Sequence, residues 1–145
     1  MRVLIDANVP LDVWLKRKHH VPSGQVMEAV GNKRIQGYMT SSLTLFALTT
    51  CAKAFDENEY REPANGLLDI ITVIGQDKEV LRAAVKDAKW ADMEDSFQYH
   101  TALGFHQRID AIITGNTEHY QPAEKHIRVV TPSDFVRSHL GNRNR

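Results

Sequence analysis

Arg2-Val3-Leu4-Ile5-Asp6-Ala7-Asn8-Val9-Pro10-Leu11-Asp12 opens the chain, and its reading decides the fold. The apolar residues Val3, Leu4 and Ile5 are continuous rather than alternating. A strand reads this way when helices cover both of its faces, as in a parallel sheet. The run stops at an acid, Asp6, and an amide, Asn8, follows two residues later. The same grammar returns near the other end, where Asn116 follows Ile112-Ile113-Thr114. Open α/β sheets bind ligands beyond the carboxyl ends of their strands, which is where Asp6 and Asn116 would stand. Oxygen ligands gathered there suit a hard cation such as Mg²⁺. The competing role for Asp6, Asn8 and Asn116 is local, as turn formers or helix caps.

Further strands are expected at Gly37–Thr40, Ile70–Ile74, Ile109–Thr114 and Ile127–Val130. Between them lie stretches with helical spacing. These are Val9–Lys18, Pro22 to Ile35, a segment capped by Ser41 or Ser42 and running to Phe55, the stripe Val80 to Ala88, Asp92–Leu103 and Ser133–Leu140. Asp56–Gly66 is polar, acidic and contains Pro63, and reads as a surface loop. Alternation of strand and helix predicts a three-layer α/β/α sandwich around a central, mainly parallel sheet of four to five strands. The expectation is one domain over residues 1–140 and a basic, disordered tail over 141–145.

Composition narrows the function only by exclusion. The chain has 145 residues, with 18 basic and 18 acidic side chains, so its net charge offers no support for a nucleic-acid partner. Cys51 is the single cysteine, which rules out an internal disulfide, and there is no CxxC pair for a structural zinc site. No apolar run approaches membrane-spanning length, and Met1–Ile5 is too short for a signal peptide core. A cytoplasmic location without membrane contact is the default expectation. The sequence carries no GxxxxGK[ST], no GxGxxG, no HExxH and no GxSxG. Those absences argue against a P-loop nucleotide site, a dinucleotide site, a metalloprotease and a hydrolase elbow.

What remains is a set of acids and polar residues. Asp92, Glu94 and Asp95 fall in one first helical turn, where acids offset the helix dipole and where Asp92 and Asp95 share a face. His119 lies in the loop with Asn116. A receiver-like phosphoacceptor is the reading from another class. It expects paired acids after the first strand and a lysine after a late one, where this chain has Asp6 alone and Asn116.

Taken together, these segments resemble the PIN domain family, within it the small toxin-like members of the VapC/PilT N-terminus type. Leu4 to Asp12 is similar to the family's opening "(hydrophobic)-D-(T/A)-N-V-(L)-(L)-D". Ser41-Ser42-Leu43-Thr44 resembles "S-x-L-T", and Asp92 to Gln98 resembles "D-F-E-D-A-x-Q". Asp110 to Tyr120 resembles "D-x-I-(V/I)-T-R-N-x-x-D-F", and Val129 to Phe135 resembles the closing "(hydrophobic)-x-(T/S)-P-x-(D/E)-F".

The resemblance implies a metal-dependent endoribonuclease, the toxin of a toxin–antitoxin pair. It would be a homodimer held by a small antitoxin protein and hydrolysing single-stranded RNA with Mg²⁺ or Mn²⁺. Asp6 and Asp95 transfer as metal-binding acids, and Asn116 and Asp92 join them as catalytic candidates. Asn8, Asp12, Glu94, Ser41, Thr44, Thr114 and His119 stand as supporting residues. Two departures set the alternative. Ala47 stands where the family has a glutamate, and the fourth acid reads as Asn116 or His119. On that alternative the chain is a catalytically weak or inactive PIN-like module that binds RNA or protein.

Overall fold

The computed structural model describes residues 1–56, 58–123 and 126–141. Only Gly141 of the basic tail lies among them. Five strands, β1 (Arg2–Ile5), β2 (Gln36–Thr40), β3 (Thr72–Ile74), β4 (Ala111–Ile113) and β5 (Arg128–Val130), form one sheet in the order β3-β2-β1-β4-β5. Every neighbouring pair is parallel. The opening stretch is therefore the central strand, with Leu4 in register with Tyr38 on one side and Ile112 on the other.

Strand side chains alternate between two cores, as the pleat dictates. Val3, Ile5, Met39, Ala111 and Ile113 face a cluster with Val9, Leu11, Val26, Leu43, Leu67 and Phe135. These come from helices α1 (Asn8–Trp14), α2 (His20–Gly31), α3 (Ser41–Ala54), α4 (Arg61–Ile70) and α7 (Pro132–Phe135). On the other face, Leu4, Tyr38, Ile74 and Ile112 meet Trp90, Tyr99, Ala102 and Tyr120. Tyr99 and Ala102 belong to α6 (Met93–Gly104), which packs against α5 (Lys78–Lys86) through the Ser96 hydroxyl donating to the Ala84 carbonyl at 3.1 Å. Tyr120 ends a 3₁₀ turn, Thr117–Tyr120. The three-layer arrangement expected from the sequence is the one observed.

Gly37 is the tight point of the first core. A Cβ there would meet Val30 Cγ1 at 2.8 Å and Ile5 Cδ1 at 3.0 Å, so α2 rests on β2 only because the side chain is missing.

Several boundaries differ from the sequence reading. Much of the stretch read as a loop, from Arg61 onward, is the start of α4. Pro63 is tolerated because it sits in the first turn, where its missing N–H has no intrahelical partner to lose. Ile70 closes that helix, so β3 begins at Thr72. The first helix stops at Trp14, ahead of Lys16 with φ 49°. α3 is capped by Thr40, whose hydroxyl accepts from the Leu43 N–H, rather than by Ser41 or Ser42. The last helical segment begins at Pro132 and continues into a π-helical turn, Val136–Leu140.

Candidate metal centre

Strand order reverses between β1 and β4, and the chain ends leaving those two strands part from each other there. Asp6 and Thr114 are the first residues past the two strands. The Asp6 N–H donates to the Ile113 carbonyl at 3.0 Å, extending the ladder by one step. The Thr114 hydroxyl donates to Asp6 Oδ2 at 2.6 Å. The backbone amides of Ala7 and Asn8 and the Asn8 side chain also donate to this carboxyl group. Burial raises the Asp6 pKa, and these hydrogen bonds oppose the rise without cancelling it. A carboxylate held by so many donors is fixed in position.

The second part of the site is the N-terminus of α6. Asp92 caps the helix, its Oδ1 accepting from the N–H groups of Glu94 at 2.8 Å and Asp95 at 3.1 Å. The capping and dipole role read from the sequence is therefore present, and it leaves the second carboxylate oxygen of Asp92 outside those two bonds. Asp95, one turn in, is half-buried. Burial and then the charges of Asp92 and Asp6 push its carboxyl up to about 6, against hydrogen bonding by Tyr120 and the charge of His119. Glu94 is raised as well, by burial and then by Asp6 and Asp92.

The third part is the 3₁₀ turn after β4. The Asn116 N–H donates to the Thr114 hydroxyl oxygen at 3.1 Å, and the Asn116 carbonyl accepts from the His119 N–H at 3.0 Å. His119 Nδ1 lies 3.3 Å from Asp95 Oδ2. Asp92, Asp95 and His119 each offer a ligand atom within 4.8 Å of the others. A carboxylate whose pKa is raised by neighbouring carboxylates, beside an imidazole, fits a divalent cation, whose charge would relieve the repulsion. A cleft of about 440 Å³, lined by Lys89, Ala91, Asp92, Glu118, His119, Gln121 and Pro122, opens beside them.

The residues picked from the sequence separate into groups. Asp6, Asn8 and Thr114 form the strand-end part, while Asp92, Glu94, Asp95 and His119 form the helix-end part. Asn116 is exposed and shapes the turn through its backbone. Asp12 is elsewhere, 8% exposed between α1 and α2, where it accepts from the Ser23 hydroxyl at 3.1 Å. Thr44 turns its hydroxyl onto the Thr40 carbonyl at 2.8 Å, and Ser41 is exposed at the start of α3. Ala47 is fully buried in the apolar core.

Three features escaped the sequence. The Tyr120 hydroxyl donates to Asp95, and burial, with the nearby charges of Asp6 and Asp95, pushes its pKa far up. The only signal was a tyrosine at a position matched to phenylalanine in the resembling motif. Asp87 accepts from Trp90 Nε1 at 3.1 Å and pairs with His100 Nε2 at 3.0 Å, tying the segment before Asp92 to α6. Burial opposes ionisation of Asp87, but these hydrogen bonds outweigh it and lower its pKa. Finally, the Thr40 hydroxyl donates to Gln98 Oε1 at 2.7 Å, linking β2 to α6 below the site.

An open parallel sheet with an acidic crevice at its reversal point defines a class of α/β proteins. Within it, the family model of the PIN domain matches residues 2–118, and the chain belongs to that family. Its fold is similar to that in the structure of VapBC2 from Rickettsia felis bound to a DNA fragment from their promoter. The TM-score is 0.68 at 10% identity, over 90% of this chain and 98% of that one. VapBC-1 from nontypeable Haemophilus influenzae gives a TM-score of 0.66 at 13% identity, over 92% and 99%. A toxin–antitoxin complex from Klebsiella pneumoniae gives 0.63 at 20% identity, over 90% and 97%. No curated protein sequence matches the chain.

Proposed function

We propose that this PIN domain is a metal-dependent endoribonuclease that hydrolyses single-stranded RNA and is the toxin of a toxin–antitoxin pair. The observation that carries the reading is the approach of Asp6, from the central strand, to the head of α6, close enough for its charge, with that of Asp92, to raise the pKa of Glu94 and Asp95. Asp6 and Asp95 would hold the cation, Mg²⁺ or Mn²⁺; Asp92 and His119 bring ligand atoms within 4.8 Å of Asp95. A divalent cation bound there supplies positive charge that acidifies a water molecule and offsets charge on a phosphodiester in the transition state.

The chain's own groups do the rest. Thr114, Asn8 and two backbone amides keep Asp6 fixed as it meets ligand. The Tyr120 hydroxyl holds Asp95 towards its ionised form. Asp92 or Glu94, the latter raised by burial and by its acidic neighbours, would accept a proton from the attacking water or position it. Asn116, exposed on the same loop as His119, would orient a water or a phosphate oxygen.

Antitoxin binding and homodimer formation belong to this proposal. They are supported by the fold likeness to a toxin–antitoxin complex from Klebsiella pneumoniae, and by exposed Leu45 and Phe46 on α3, Leu68 on α4 and Val73 on β3. No helix among the described residues is long and apolar enough to cross a membrane. Purified protein with Mn²⁺ should cleave single-stranded RNA, and Asp6→Asn should lower the rate on the order of 100-fold or more. Undiminished cleavage by Asp6→Asn would overturn the site. Ala47 in the apolar core favours the second reading, a weak or inactive RNA- or protein-binding module. It predicts RNA binding without cleavage.

A further inference from the structure

The three groups that converge at the head of α6 are not chemically alike. Asp92 and Asp95 offer carboxylate oxygens, but His119 offers an imidazole nitrogen. The spacing of the imidazole is informative. His119 Nδ1 and Asp95 Oδ2 are 3.3 Å apart. Two ligand atoms bonded to one cation at about 2.1 Å lie about 3.0 Å apart in neighbouring octahedral positions and about 3.4 Å apart in tetrahedral ones. The observed separation falls between the two.

The turn that carries the ring is anchored on both sides of His119. The backbone N–H of His119 donates to the Asn116 carbonyl at 3.0 Å, closing the turn. The next residue, Tyr120, is 3% exposed, packs edge-on to Trp90 with ring centroids 5.6 Å apart, and donates to Asp95. The turn that carries His119 is thus anchored to the same helix end that carries the two carboxylates.

We infer that His119 is a nitrogen ligand in this centre, so that the centre selects a first-row transition-metal cation such as Mn²⁺ over Mg²⁺. This rests on the proposed function for the place of the site, and not on cleavage. Mg²⁺ is hard, prefers oxygen and dehydrates reluctantly, so a nitrogen donor adds little for it. Transition-metal ions accept imidazole readily. A carboxylate in place of the imidazole would serve both kinds of ion, and its replacement by histidine removes the donor that Mg²⁺ uses best.

The test measures binding rather than turnover. Mn²⁺ bound to the full chain should show ¹⁴N modulation in its electron spin echo. The pattern should change to that of ¹⁵N when histidine is isotopically labelled and should vanish in His119→Asp. Titration calorimetry with Mn²⁺ and Mg²⁺ should show the preference for Mn²⁺ shrinking about tenfold or more in His119→Asp. His119→Gln, which keeps a polar side chain without imidazole, should bind Mn²⁺ more weakly while melting like the parent protein. Absence of nitrogen coupling, or an unchanged Mn²⁺/Mg²⁺ ratio in His119→Asp, overturns the inference. Nitrogen coupling without RNA cleavage would overturn the nuclease reading and leave the ligand assignment standing. Cleavage supported equally by Mg²⁺, with no nitrogen coupling, would do the reverse.

Discussion

Asp95 is where the opposing influences meet. Burial and the charges of Asp92 and Asp6 favour its protonated form, while the Tyr120 hydroxyl and His119 favour the carboxylate. Tyr120→Phe removes one of the two groups holding the charge. The Asp95 pKa should then rise above about 6, measurable by NMR titration of the carboxyl carbon. In an active enzyme the acid limb of the pH–rate profile should move in the same direction; a fall in the Asp95 pKa would contradict this role for the hydroxyl. At this scale the sequence was half legible. Asp6 announced itself because an acid interrupts an apolar strand. Tyr120 did not, because a buried tyrosine reads as core until its hydroxyl is seen to have a carboxylate partner.

The elements that carry the site are held by polar side chains as well as by the apolar cores. Thr40 shows why. Its hydroxyl accepts from Leu43 N–H to cap α3 and donates to Gln98 Oε1 on α6. Gln98 is 1% exposed, and its Nε2 finds no hydrogen-bond partner, so this contact is the one that orients the amide. Thr40→Val keeps the shape and loses both bonds. The expected cost is about 2–4 kcal/mol by urea denaturation, combining a lost cap with a buried acceptor left without a donor. A cost below about 0.5 kcal/mol would show that the link carries no load. None of this could be read from the sequence, where Thr40 looked like the end of a strand and Ser41 or Ser42 the better cap. Strands β1 and β2 were legible from their apolar runs, whereas α4 was not. Its buried face is only Ala64 and Leu67, the first of them alone within the polar stretch, and Pro63 suggested a break.

For the whole molecule, the crowded carboxylates couple folding to pH. The Asp95 carboxyl rises from an ordinary 3.8 to about 6 in the folded chain. A raised folded pKa contributes stability that is fully present below about pH 4 and is lost as pH passes through about 6. In chelator at pH 7 the folded chain therefore carries an unfavourable charge, and Asp95→Asn should stabilise it by about 1–3 kcal/mol. The gain should fade as pH falls from about 6 through 3.8, below which the parent carboxyl is protonated in both states. Destabilisation by Asp95→Asn at pH 7 without cations would show that the Tyr120 and His119 contacts dominate. A trade of this kind, stability given up where ligand is awaited, is common at functional sites.

The bond between Thr114 and Asp6 joins residues 108 positions apart. β1 likewise finds one of its two ladder partners, β2, within the first 40 residues and the other only at Ala111–Ile113. During synthesis the N-terminal portion emerges first and begins to fold first. A nascent chain that ends before β4 carries every acid of the site, yet has neither the strand that completes the crevice nor the hydroxyl that fixes Asp6. A partly made or truncated copy therefore lacks the assembled crevice, and if the chain is the proposed nuclease, its activity would wait until the polypeptide is nearly complete.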